Sequence, residues 1–170
     1  MSGTDGPSFF YRNIAGESYM RVVVQRVDNA NVKVDNDLIS EIGPGLLVYL
    51  GVASGDGEDD VKWIAGKVCR MRLFPDSNGK MNLSVKEIDG EILVISQFTL
   101  YASTKKGNRP SFVMAADPDV AVPLYDRFIE ELQFELGEDK VGSGVFGGHM
   151  MIDSINNGPV TVWVDSNNKE

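Results

Sequence analysis

From Met20 onward the chain alternates between β-branched apolar runs and short polar interruptions. "MRVVVQRV" (Met20 to Val27) and "NVKV" (Asn31 to Val34) read as two strands joined by a short polar turn. "LLVYLGVA" (Leu46 to Ala53) is an unbroken apolar run, the pattern of a strand covered on both faces. Val61, Ile64, Ala65 and Val68 then recur at helical spacing behind Glu58, Asp59 and Asp60, whose charges suit a helix N-terminus, so a first helix is expected there. "FPDSNGKMN", with Pro75, Asn78 and Gly79, predicts a turn-rich loop, and Glu91 to Leu100 a returning strand. A second helical stripe runs through Ala121, Leu124, Tyr125, Phe128, Ile129 and Leu132. Pro123 lies inside it, which requires a start near Val120 so that the missing N–H falls in the first turn or just after it. Two last strands are expected around Val145 to Ile152 and Val160 to Val164, with Asn156-Asn157-Gly158-Pro159 as the turn that stops one and feeds the other. No internal repeat is visible, and the order of elements predicts one α/β domain with a mixed sheet and two main helices.

Composition narrows this picture. At 170 residues the chain can bury a core without disulfides or metal, and its single cysteine, Cys69, excludes an internal disulfide. With no signal peptide and no apolar run long enough to span a bilayer, the expectation is a soluble cytoplasmic protein with no membrane partner. The formal net charge is −9. Only Asp5, Arg12 and Glu17 among the charged residues fall in the first nineteen positions, so the acidity belongs to the domain. A duplex-binding groove needs many cations, and local positive charge is confined to "STKKGNRPS", with Lys105, Lys106 and Arg109, and to Lys67, Arg70 and Arg72. DNA is therefore not expected as a partner, and any polynucleotide contact should be small. Residues 1–19 carry Gly, Ser and Pro without an apolar period and read as an extension, flexible or artificially added, ahead of a domain spanning 20–170.

Candidate chemistry is sparse. Cys69 follows Val68 on the first helix and His149, the only histidine, is far away in sequence; a lone helix cysteine is most often structural. One cysteine and one histidine cannot make the usual zinc ligand set, and no metal or cofactor is called for. Asp59, Asp60, Glu130 and Glu131 fit helix termini and solvated faces. "SQFTL" stands apart, because Ser96, Gln97 and Thr99 end the buried run "EILVI" where the carboxyl end of a strand borders a crevice. Those polar groups either bond to neighbouring loops or line a site. "NNGPVT", likewise, is either an ordinary tight turn or a special one.

"SQFTL" (Ser96 to Leu100) and "NGPVT" (Asn157 to Thr161) resemble the two signature motifs of the D-aminoacyl-tRNA deacylases, the D-tyrosyl-tRNA deacylase family. "MRVVVQRV", "KGNRPSF" (Lys106 to Phe112) and "VFGGHM" (Val145 to Met150) match the family pattern in the same order, so the likeness covers Met20 to about Asp165. The resemblance implies a single domain with a barrel-like mixed sheet, homodimeric, with active sites at the interface. It implies hydrolysis of the ester joining a D-amino acid to the 3′ end of tRNA, and acceptance of glycine. Ser96, Gln97, Phe98 and Thr99 would line the pocket near the ester, with main-chain N–H groups holding the carbonyl oxygen. Asn157, Gly158, Pro159 and Thr161 would form the cross-subunit element, a cis Gly-Pro whose carbonyl oxygens leave no room for an L side chain. Phe146, Gly147 and Met150 would hold the terminal adenosine, Arg26 the Gly-Pro backbone, and Lys105, Lys106 and Arg109 tRNA phosphates.

Attack by water assisted by the substrate's own ribose hydroxyl is preferred over a Thr99 acyl-enzyme, since a threonine nucleophile needs an adjacent base and none is near in sequence. Two other readings remain at this point: an RNA-associated binding module without catalysis, and a small-ester hydrolase with Thr99 as nucleophile.

Overall fold

The computed structural model describes residues 19–169. The extension expected over residues 1–19 therefore lies outside the described residues except for Tyr19. A 14-residue strand, β1 (Arg21–Val34), is the spine. Along one edge it pairs antiparallel with β2 (Asp37–Ile42) and β3 (Gly45–Gly51); along the other it pairs antiparallel with a 16-residue strand, β8 (Met150–Asp165). Helix α1 (Glu58–Arg70) follows, then a small hairpin of β4 (Phe74–Pro75) and β5 (Met81–Leu83). β6 (Glu91–Ser96) lies parallel to β3, and β7 (Val141–Ser143) lies parallel to β6 after helix α2 (Pro118–Leu136). The result is a mixed, nearly closed, barrel-like sheet with two helices on one side.

The polar stretch between Val27 and Asn31 is not a turn between two strands. β1 runs straight through it with register shifts at Gln25/Val27 and Val27/Asn29, and these bulges change which side chains point inward. Val22 and Val24 face the helices in a cluster with Leu46, Val48, Ile64, Val68 and Phe128, whereas Val27, Ala30 and Val32 join Ile42, Leu47, Leu93 and Ile95 in a second cluster. One strand thus serves two cores, which the polar interruption in the sequence disguised. β2, flanked by Asp35 and Asn36 at positive φ, was not foreseen, because "DLISEI" has an exposed, weakly apolar pattern.

Other boundaries also shift. The strand expected to reach Leu100 ends at Ser96, and Phe98–Tyr101 is a 3-10 turn. The turn-rich "FPDSNGKMN" region closes as the β4–β5 hairpin. α2 starts at Pro118 rather than near Val120, with Pro118 in the first turn where its missing N–H costs nothing. Pro123 is consequently two residues deeper in the helix than expected. The two final strands are one, β8, which passes across "NNGP" instead of stopping there. Val145 to Gly148, expected in a strand, forms the turn that precedes β8.

Candidate active site

The carboxyl ends of β3 and β6 set the site. Gln97 N donates to Leu50 O at 2.7 Å, extending the parallel ladder by one residue before the chain curls into the 3-10 turn. Within such a turn the first N–H with an internal acceptor lies three residues on, here Leu100 N to Gln97 O at 3.3 Å. The N–H groups of Phe98 and Thr99 therefore point out of the turn. Gly51 allows the close approach that positions it, since a Cβ there would lie 2.9 Å from the Tyr101 ring and 3.1 Å from Gln97 O. Tyr101 anchors the far end of the turn: its hydroxyl lies 2.6 Å from Tyr19 O and 2.9 Å from Gly51 O, and burial pushes the phenol well above its usual range. Arg21 completes the anchor, its Nη1 donating to Leu100 O at 3.1 Å while Nε pairs with Asp165 at 2.9 Å.

Beside this turn lies a cavity of about 280 Å³, close to the lower end of the range for small-molecule sites. Ser96, Gln97 and Phe98 form one side and Phe146, Gly147 and Met150 the other; Leu50, Ile95 and Tyr125 contribute to its apolar surface. The Phe146 side follows from local chemistry. Gly148 N donates to Val145 O at 3.0 Å and Gly147 has φ of +72°, so Val145–Gly148 is a tight turn with glycine where a positive φ is required. That turn presents Phe146 edge-on to Tyr125, with ring centroids 5.7 Å apart, and Tyr125 donates its hydroxyl to Val94 O at 3.0 Å. The aromatic platform is thereby fixed to β6.

Thr99 does not line the cavity. Its Oγ1 accepts from Gln97 Nε2 at 2.5 Å, so the two side chains orient each other. Phe98 is 57% exposed and meets Phe112 edge to face at 5.1 Å. Phe112 follows the paired Ser103 and Ser111, which bracket the exposed loop carrying Lys105, Lys106 and Arg109, so the basic loop stands next to the cavity rim without entering it.

The second motif is elsewhere. Thr161 pairs with Gln25 and Asn156 with Val27, so the single residue Arg26 faces four residues, Asn157 to Val160, that bulge out of β8. The bulge is pinned by side chains: Arg26 Nε donates to Asn157 O at 3.0 Å, Asn157 Nδ2 to Asp28 Oδ1 at 2.6 Å, and Val160 N to Asn156 Oδ1 at 3.0 Å. Thr161 Oγ1 accepts from Gln25 and Asn156. The Gly158-Pro159 bond is cis, and Gly158 has φ of +143°, a region that disfavours a side chain. By register Arg26 is level with Leu46, whereas the cavity begins at Leu50, roughly 13 Å along the same strand. Asn157, Gly158, Pro159 and Thr161 accordingly do not line the cavity of their own chain.

Tyr125, Ala116 and Ala121 line the cavity without having been assigned to it from the sequence, and so does His149. Tyr125 was visible only as part of a helical stripe. His149 follows the tight turn directly and shares the cavity lining. Cys69 is 2% exposed and burial pushes its thiol up to about 12, so it is a core residue. Among the described residues no group of three or more His, Cys, Asp or Glu side chains is arranged to hold a metal ion, and no helix is long and apolar enough to cross a membrane.

Comparison with known proteins bears on this arrangement. A profile of the family described as D-Tyr-tRNA(Tyr) deacylase matches residues 23–165. Proteins named D-aminoacyl-tRNA deacylase from Flavobacterium psychrophilum and Parabacteroides distasonis are 50% and 52% identical over 151 residues, which is 89% of this chain and all of theirs. A solved structure named c-Myc DNA Unwinding Element Binding Protein superposes with a TM-score of 0.81 at 36% identity, covering 85% of this chain and 97% of that one. Another, described as a probable eukaryotic D-amino acid tRNA deacylase, shares the fold with a TM-score of 0.78 at 21% identity, over 86% and 99% of the two chains. By its matched motifs, its length-wide identity and its fold, the chain belongs to the D-Tyr-tRNA(Tyr) deacylase family.

Proposed function

We propose that the protein hydrolyses the ester between a D-amino acid and the terminal adenosine of tRNA, releasing the free amino acid and a tRNA with its hydroxyl restored. The observation that carries this reading is one cavity with two unlike sides: Ser96, Gln97 and Phe98 at the carboxyl end of β6, and Phe146 held edge-on to Tyr125. The N–H groups of Phe98 and Thr99 suit a carbonyl oxygen on which negative charge develops, and a water oxygen then attacks the carbonyl carbon as the ester C–O bond breaks. Phe146 suits an unpaired base, which binds by stacking on an aromatic face. Thr99, turned to Gln97, positions that amide and does not attack; the substrate's ribose hydroxyl assists the water. Lys105, Lys106 and Arg109 stand where the tRNA backbone leaves the cavity.

Chiral selection is assigned to Gly158-Pro159 of a second copy of this chain. The bulge lies far from its own cavity, and β8 offers Met151, Ile155 and Trp163 as exposed apolar side chains with which two copies could pair. Inserted into the partner's cavity, the segment excludes an L side chain instead of gripping a D one, so side-chain identity matters little and glycine is also accepted. The test is release of free amino acid from matched D- and L-tyrosyl-tRNA and from glycyl-tRNA. Turnover of the D and glycyl esters with the L ester intact is the expected result; equal turnover of D and L, or none of either, overturns the reading.

A further inference from the structure

We propose that His149 binds the phosphate on the 5′ side of the substrate's terminal adenosine, an assignment that rests on the adenosine reading of the cavity given above. Tyr125 and His149 are the titratable side chains that line the cavity. Tyr125 is committed to Val94 O, and burial keeps its phenol above the usual range and neutral. Ser96 and Gln97 are uncharged. An imidazole, neutral or protonated, always presents an N–H donor.

Position adds to chemistry. The tight turn Val145–Gly148 places Phe146 and His149 three residues apart, with Phe146 half-buried on Tyr125 and His149 exposed at the rim. With the base on Phe146 and the ester at Ser96 and Gln97, the nucleotide's remaining polar group, its 5′-phosphate, lies at the mouth. The cations of Lys105, Lys106 and Arg109 are outside the cavity lining, so they serve phosphates further along the strand. In a chain of net charge −9, a donor at this first phosphate offsets repulsion that the rest of the surface would impose.

The experiment uses two small esters, a D-tyrosyl ester of adenosine and the same ester of adenosine 5′-monophosphate, with the full-length parent, His149→Ala and His149→Lys. His149→Ala should raise KM for the phosphorylated ester about tenfold, the scale of one hydrogen bond to a charged group, with kcat unchanged. Both constants for the unphosphorylated ester should stay at the parent values, and His149→Lys should restore the phosphate-dependent affinity. An equal change on both esters, a fall in kcat, or no change at all overturns the assignment. A parent inactive on both esters and on D-tyrosyl-tRNA would instead overturn the deacylase reading, and this inference with it.

Discussion

Asp56 illustrates how a single carboxyl supports the site from behind. Its two oxygens accept Tyr19 N and Ala53 N, each at 2.6 Å, beside Asp60, Asp165 and the Tyr101 hydroxyl that anchors the 3-10 turn. Burial, with the Asp60 and Asp165 charges adding to it, raises the carboxyl to about 7 despite the hydrogen bond from Ala53 N. A raised folded value means that the native state holds a proton already released by the unfolded chain between about pH 4 and 7. The Asp56 contribution to stability is thus complete below that window and declines as pH rises through it. Asp56→Asn cannot titrate, so the stability of the parent relative to this variant should fall as pH rises from about 4 to 7. Urea unfolding at several pH values reads this directly, and a pH-independent difference would count against it.

At the level of elements, the parallel contact of β3 with β6 matters most, because both cavity-forming ends depend on it. Gly45 pairs with Glu91 at its start, and a Cβ on Gly45 would sit 1.8 Å from Glu91 O and 2.7 Å from Glu91 C. These are backbone atoms that cannot rotate away. Gly45→Ala should therefore cost about 3 kcal/mol or more, with the strands forced apart at the end opposite the cavity. Gly43, whose Cβ would meet only the Glu91 carboxylate at 3.3 Å, is the matched control and should cost well under half as much. Thermal unfolding of the two variants separates them, and equal costs would show that the sheet tolerates the intrusion.

For the whole molecule, the separation of the two motifs generates a test of its own. If the bulge of one chain completes the cavity of another, a Gly158→Ala chain and a Gln97→Ala chain are each inactive as homodimers for different reasons. A mixed dimer contains one site with both lesions and one with neither. Co-refolding the two variants should therefore restore D-aminoacyl-tRNA hydrolysis that neither shows alone. Failure to recover activity in a verified mixed dimer would place the bulge in its own chain's site or outside the chemistry altogether.

The apolar periodicity by itself determined the two helices, the buried strands β3 and β6 and the single-domain α/β class, because long periodic runs must bury their apolar face. The motifs "SQFTL" and "NGPVT", with three further matches in order, were enough to name the family. Tertiary structure decided the rest. Whether Val27 to Asn31 was a turn or a bulged strand depended on a partner, β8, more than a hundred residues away. Whether "NNGP" ended a strand depended on Arg26 and Asn156 satisfying backbone that the bulge leaves unpaired, with Asp28 holding the Asn157 side chain. Tyr125 was unreadable as a site residue, and the lone His149 could be singled out but not placed, for the same reason: a helical stripe and a lone histidine carry local information only. A cavity exists where distant segments stop short of one another, and no spacing along the chain records that distance.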